Sequence, residues 1–417
     1  MNALSSLFLL VALVGSWPVL AADTWVIHAA RIYPAPHVAP IEDGVVLVSA
    51  GRIAYVGKRD SAKIPRSAKT SECSGGVLTA GFQNSHVHFI EPRWDDAANK
   101  PAAELEQSLQ EMLTRFGFTT VFDTTSDQAN TFALRSRVEK AEIRGPRIVT
   151  VGLGLFPPDG IPSYIHDLPP QVLARLHQPR TAEEARGAVR ANIAAGADGT
   201  KLFLHTSPRQ GVITRMSAEV ARAAVEETHA HGKLVMAHPT SVEAIRLGLD
   251  VGVDVLVHTT LGEEAPWDEA TLARMKSAHM SVIPTFKLWP YELKKENVPP
   301  PVVDALVAAT FRELQAFIGV QGQVLFGTDV GYMHDYDPTD EYVFMAKAGM
   351  SQAQILESLT TAPAARWKVE KRHGQIARGF DADMVMLAAD PFEDVRNFAN
   401  VKCVLRAGAP IYSRPGQ

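Results

Sequence analysis

Apolar and polar positions alternate differently along this chain, and the changes mark its organisation. Leu7 to Val14 form an unbroken apolar run. From about residue 25 to 79 the apolar positions come in short stretches separated by glycine and polar residues, which predicts β-strands. Trp25 to Ala30 is one strand, Gly44 to Ser49 and Arg52 to Gly57 pair around Ala50-Gly51, and Ser74-Gly75-Gly76 closes the segment. From about residue 80 the pattern becomes strand, loop, helix, repeated. Strands are predicted to end near His88, Asp123, Val151, Leu204, His238, His258, Pro284 and Asp329. The amphipathic stretches between them carry capping boxes at Thr181…Glu184 and Thr240…Glu243, with Gly196, Gly232 and Gly252 as C-terminal stops. After about residue 375 short strands return, at Asp383 to Leu387 and Val401 to Arg406. The expected class is α/β. A (β/α)₈ TIM-like barrel would occupy residues 80–374, close to the usual length of about 250 residues. A small β-sandwich would be formed jointly by residues 22–79 and 375–417.

The first apolar run is followed by Gly15, Ser16 and Pro18 and then by Val19-Leu20-Ala21-Ala22, an A-x-A-like cleavage signal. Residues 1–21 are therefore expected to be a signal peptide cut after Ala21, giving a periplasmic or secreted protein with no membrane attachment afterwards. The run is short for a membrane span, which disfavours an uncleaved anchor.

Composition adds exclusions. With 417 residues, 46% hydrophobic and 21% charged, the chain is neither disordered nor fibrous. A net charge of −5 leaves no basic excess to track phosphates, so nucleic acid is not an expected partner; a small-molecule substrate is. Cys73 and Cys403 are too few for a cysteine-based metal framework. They fall in the two flanking β segments, and two buried thiols are expected in preference to a disulfide.

Chemistry concentrates at the predicted strand ends, where barrel enzymes carry their catalytic residues. His86 and His88 are two apart and share a strand face. His238, His258 and Asp329 occupy three further ends. Imidazoles and carboxylates together suit a zinc-like divalent ion. Lys201 stands inside the apolar strand Gly199-Thr200-Lys201-Leu202-Phe203-Leu204, where an ammonium must lose its proton or find a partner. A neutral amine there can take up CO₂ and become an anionic carbamate with two ligand oxygens.

Several stretches resemble the amidohydrolase superfamily, in the branch of imidazolonepropionase-like proteins and metal-dependent Xaa-Pro dipeptidases. They are Ala80-Gly81-Phe82-Gln83-Asn84-Ser85-His86-Val87-His88, Gly196-Ala197-Asp198-Gly199-Thr200-Lys201, Ala237-His238-Pro239-Thr240, Gly252 to His258, and Phe326-Gly327-Thr328-Asp329. Gly374-Gln375-Ile376, Gly379 and Asp381-Ala382-Asp383 resemble the family's return into its sandwich. The resemblance implies two divalent ions, Zn²⁺ for choice. His86, His88 and Asp329 would hold one, His238 and His258 the other, with carboxylated Lys201 and a hydroxide bridging them. Asp329 would be the catalytic base turned acid. His238 is followed by Pro239-Thr240-Ser241, with Glu243 already in a helix, where the deaminases usually have a glutamate. That favours two-metal hydrolysis of a C–N amide bond in a dipeptide, N-acyl amino acid or cyclic amide. An esterase, lactonase or phosphoesterase with the same centre stands second and a mononuclear deaminase third. A non-catalytic binding relative comes last, because all six ligand positions are filled.

Specificity is expected in the loops after the strands. Arg209 and Lys287 are the candidate anchors for a substrate carboxylate, and Tyr164 is a further candidate contact. His205 is expected in a loop, and His229 and His231 in structural roles at a helix end. Asp335, Asp337, Asp340 and Glu341 are expected to form a solvated lid facing the substrate.

Overall fold

The computed structural model describes residues 23–415, apart from 167, 169, 240 and 262–266. The expected signal peptide lies outside the described residues. Among those described, no helix is long and apolar enough to cross a membrane.

The described chain opens with β1 (Thr24–Ile32), β2 (Ile41–Ser49), β3 (Arg52–Lys58), β4 (Lys69–Thr70) and β5 (Val77–Ala80). Then come β6 (Phe82–Val87), β7 (Phe118–Asp123), β8 (Arg147–Thr150) and β9 (Gly199–Phe203), interleaved with helices except between β5 and β6. A hairpin of β10 (His205–Arg209) and β11 (Val212–Arg215) follows. Next are β12 (Leu234–His238), β13 (Val255–Val257), β14 (Ser281–Ile283) and β15 (Gln323–Val324), and the chain ends with β16 (Met384–Leu387), β17 (Val401–Arg406) and β18 (Ala409–Ser413).

The two ends of the chain meet in one eight-stranded sheet, in the order β18-β17-β16-β5-β1-β2-β3 with β4 on β1. The β2–β3 turn uses Ala50 and Gly51, both at positive φ, which a two-residue hairpin of the I′ type requires. The seam between the ends is the antiparallel pair β5–β16, Val77 to Ala80 against Leu387 to Met384. A disulfide joins Cys73 to Cys403 nearby, with Cα atoms 5.8 Å apart. The two-thiol expectation is thereby corrected. Sequence separation of 330 hid the pairing, which the strand register brings about.

The middle of the chain holds parallel strands in two groups, β6-β7-β8 and β9-β12-β13-β14-β15. Every residue of β6, β7 and β9 is buried, as expected where helices cover a parallel sheet. Single bridges connect the groups at both sides, Leu155 with Leu202 and Val87 with Val330. The last segment, 325–330, runs beside β6 through Ser85 N–H to Phe326 O, Asp329 N–H to His86 O and His88 N–H to Val330 O. Helix ends follow the local chemistry. Thr181 caps the N-H of Glu184, and Gly196 and Gly252 end helices at positive φ. One cap differs from expectation. Ser241, not Thr240, caps the helix Val242–Val251 by accepting from Ala244 N–H, and Thr240 lies outside the described residues. A second difference is that the chain after Leu204 is a hairpin, which places His205 in a strand, buried.

Candidate metal centre

The strand ends deliver their side chains to one buried place. His86 lies in β6 and His88 one residue beyond its end, and Asp329 arrives from the neighbouring segment. The Nε2 atoms of His86 and His88 lie 3.1 Å apart. Asp329 Oδ1 is 3.2 Å from the first and 3.0 Å from the second. His258 stands one residue beyond β13, and its Nε2 is 3.9 Å from Asp329 Oδ2. The His258 ring centre is 4.9 Å from that of His86 and 4.8 Å from that of His238, which ends β12. Lys201, 1% exposed, projects from the middle of β9 with its Nζ 5.3 Å from the Phe203 ring.

Burial sets the protonation of this group. Desolvation drives the His86 and His258 imidazoles well below their ordinary range, helped by the Lys201 charge and by neighbouring histidines. His238 is lowered to about 3 by desolvation, then by Lys201 and His88. The Lys201 amine falls to about 7 because desolvation outweighs the attraction of Asp329 and Asp123.

Does this set fit a metal ion? His88 Nδ1 faces the Thr125 carbonyl at 2.7 Å, which assigns the proton to Nδ1 and leaves Nε2 as a bare lone pair. That lone pair points at another imidazole nitrogen and at a carboxylate oxygen, and Asp329 Oδ1 is buried with no hydrogen-bond partner. Lone pairs converging at about 3 Å in a desolvated place repel unless a cation lies between them. His86, His88 and Asp329 are accordingly a metal-binding group. His258 is braced in the same manner, its Nδ1 bonded to the Thr285 hydroxyl.

Backbone strain accompanies the site. His258 (φ 76°), Thr285 (φ 46°) and Asp329 (φ 61°) are buried non-glycine residues in the left-handed region. Such residues persist only where surrounding contacts hold them. Two positions beyond Asp329, Gly331 has φ 97°, and a Cβ there would lie 1.9 Å from the His88 carbonyl oxygen.

The strand-end residues thus come together, whereas the expected loop contacts divide. Tyr164 is exposed and stacks edge-on with Tyr332 at 5.3 Å. That ring contact is what ties it to the segment that follows Asp329. Arg209 is exposed on the β10–β11 hairpin. Lys287 does not present a free cation. It is 7% exposed and spends its ammonium on Asp335 and Asp337. Asp335, Asp337 and Asp340 are exposed, whereas Glu341, expected to be solvated with them, is fully buried. His205 bonds Ser241 at 3.1 Å, and His229 and His231 pair with Asp254 and Glu227.

Asp123, at the end of β7, had no role assigned from sequence. It is buried, accepts from the Ser126 and Thr150 hydroxyls, and its carboxyl is raised by desolvation. Ser126 in turn accepts the Phe89 N–H, so Asp123 braces the turn that follows His88. Its place at a predicted strand end was the available signal.

Comparison with known proteins supplies the family and the fold. Residues 77–411 match the model of the amidohydrolase family. The chain is 24% identical to ochratoxinase from Aspergillus niger over 95% of its own length and 88% of that protein's. Among solved structures, a Xaa-Pro dipeptidase with bound methionine superposes with a TM-score of 0.78 at 19% identity, covering 94% of this chain and all of that one (100%). The A. niger ochratoxinase structure gives 0.77 at 21% identity over 95% and 97% of the two chains. Molinate hydrolase gives 0.76 at 20% over 95% and 99%. These likenesses carry the fold, a TIM barrel with a small additional domain. With a matching family model over most of its length and a His-His-Asp metal group where the strands end, the chain belongs to the amidohydrolase family, metal-dependent hydrolases of carbon–nitrogen bonds.

Proposed function

We propose that this protein is an exported binuclear hydrolase that cleaves the C–N amide bond of a small substrate, a dipeptide, N-acyl amino acid or cyclic amide. The observation that carries the proposal is the buried convergence of His86, His88 and His258 on Asp329, with His238 against His258 and Lys201 buried in β9. His86, His88 and Asp329 would hold one divalent ion, His238 and His258 a second, both zinc for choice, with carboxylated Lys201 between them. Bound there, the pair supplies Lewis acidity toward the amide carbonyl and a water acidic enough to ionise near neutral pH.

The chain's own groups do the rest. Lys201, with its amine at about 7, is largely neutral in mildly alkaline solution, and only the neutral amine adds CO₂. The nitrogen forms a bond to carbon, releases one proton, and leaves a carbamate anion. Asp329 takes the proton of the attacking water at its carboxylate and returns it to the leaving nitrogen, so the amine departs neutral. Phe203 and Phe156 stack at 4.1 Å beside Lys201 and keep water from that side. Tyr164, packed edge-on against Tyr332 of the segment after Asp329, is a candidate substrate contact, and Arg209 on its hairpin is the cation for a substrate carboxylate.

The name of one structural neighbour, a Xaa-Pro dipeptidase, supports the amide reading. Glu243 stands exposed and paired with Arg215 at 3.2 Å, away from the deaminase role. The Cys73–Cys403 disulfide supports an oxidising compartment, hence the signal peptide at residues 1–21. The domain limits at residues 79/80 and 374/375, a closed barrel and a two-layer sandwich belong to the same proposal.

Metal content per chain, measured without chelators and with bicarbonate, tests it together with parallel amide and ester assays. Two equivalents and amide turnover are expected. One equivalent that survives Lys201→Ala, or turnover of esters alone, overturns the binuclear amidase. Asp329→Asn is expected to keep most of the metal while turnover falls by orders of magnitude; retained turnover removes Asp329 from the proton transfer.

A further inference from the structure

The loops after β14 and after Asp329 each send one charged side chain into the other. Glu341 lies on the helix Thr339–Lys347 that follows Asp329, with no exposed surface. Its carboxylate accepts the backbone N–H of Phe286 at 3.0 Å and of Lys287 at 2.8 Å. Those groups stand at the start of the helix Leu288–Lys295, where the first donors have no partner inside the helix and no side-chain cap of its own is present. Lys287 reaches the opposite way. Its ammonium donates to the carbonyl oxygens of Asp335, at 3.1 Å, and Asp337, and pairs with the Asp335 carboxylate at 2.8 Å. All three of its donors are thereby used. Two further ties run alongside, Tyr332 hydroxyl to Glu292 at 2.9 Å and Tyr336 hydroxyl to Glu91 at 2.6 Å.

Each loop begins beside a metal-ligating residue. Thr285, immediately before Phe286, is buried in a left-handed conformation and binds His258 Nδ1. Asp329, itself left-handed, opens the other loop. We propose that Lys287 and Glu341 are positioning residues, a reciprocal clasp that fixes the loops after β14 and Asp329 and so holds His258 and Asp329 in register for metal binding. This rests on the metal reading given above.

The physical reason is that the two ligands come from separate strands and both sit in conformations that relax if their loops are released. One brace from each direction removes that freedom. A carboxylate facing two backbone donors, and an ammonium facing two carbonyls, cannot exchange partners without leaving buried groups unpaired. Both side chains are buried. Removing a group bonded directly to a ligand, as Thr285 is to His258, typically costs about 10–100-fold in metal affinity; Lys287 and Glu341 act one contact further out, so about tenfold is the upper limit for either.

The test uses the full chain as Lys287→Met, Lys287→Arg, Glu341→Gln and the double variant Lys287→Met/Glu341→Gln. Zinc affinity is read by competition with a chromogenic chelator, and hydrogen exchange is followed in peptides covering 285–295 and 330–338. Lys287→Met and Glu341→Gln are each expected to weaken zinc binding by up to about tenfold and to speed exchange in both peptides. The double variant should be no weaker than the worse single one, since either change opens the same clasp. Lys287→Arg should recover part of the loss, which general destabilisation would not allow. Unchanged zinc affinity and exchange in Lys287→Met, or fully additive losses, overturn the clasp. Should Glu341→Gln fail to fold, Lys287→Met and its arginine rescue decide the matter. A wild-type chain that takes up no zinc overturns the metal reading instead, and with it the clasp's role in metal binding.

Discussion

Replacing Lys201 by methionine should strengthen the metal-free fold while removing its capacity for two ions. The side chain is 1% exposed, and burial lowers its amine from 10.5 to about 7. That drop is worth on the order of 5 kcal/mol between the charged and neutral forms. Folding near pH 7 must therefore discharge the amine or bury its charge, and the wild-type fold bears most of that cost. Methionine fills a similar volume and brings no ionisable group. Even if local relaxation halves the penalty, the metal-free variant should gain about 2–3 kcal/mol. The sign of the pH dependence follows. Between about pH 7 and 10.5 the unfolded chain binds more protons than the folded one, so wild-type stability rises with pH through that window. Below about 7 both states are protonated and the gain is absent; above 10.5 it is complete. Urea unfolding with chelator present, across this range, reads both effects, and metal analysis of the same preparations reads the third. A variant less stable than wild type at pH 7, or one that keeps the rise with pH, would refute the assignment of the penalty to Lys201.

Three further outcomes are expected. Gly331→Ala should impair both folding and metal retention, because its Cβ meets the carbonyl of a ligating residue at a positive φ; ion retention through a desalting column checks it. Cys73→Ser should lower the urea midpoint by an amount equivalent to about 2–5 kcal/mol, as for loss of a native disulfide closing a long loop, and the same protein under reductant should match it. Arg209→Ala should raise KM for substrates with a free carboxylate by about tenfold, the loss of one charge-assisted contact, and leave amidated analogues unaffected. Equal effects on both would return Arg209 to the solvated surface.

Local pattern decided much of this protein. Alternation of period two marked the terminal strands, and a turn needing two positive φ values was written in Ala50-Gly51. Strand ends could be read from buried runs that stop at histidines, and two imidazoles two residues apart must share a face. Lys201 betrayed itself by being the one charge in an apolar strand. These are properties of neighbouring residues, so they survive without a fold.

What the sequence could not decide depends on groups far apart in the chain. Lys287 looks like any loop cation until the segment 335–337 is laid across it, and Glu341 looks solvated until its helix turns it toward two orphan amides. Cys73 meets Cys403 only because β5 pairs with β16. Asp123 gains its meaning from Ser126 and Thr150, the second from another strand. In each case a charge or thiol has several possible partners of similar energy, and proximity alone selects among them. Proximity is set by the packing of whole strands and helices, which no single stretch of the chain contains.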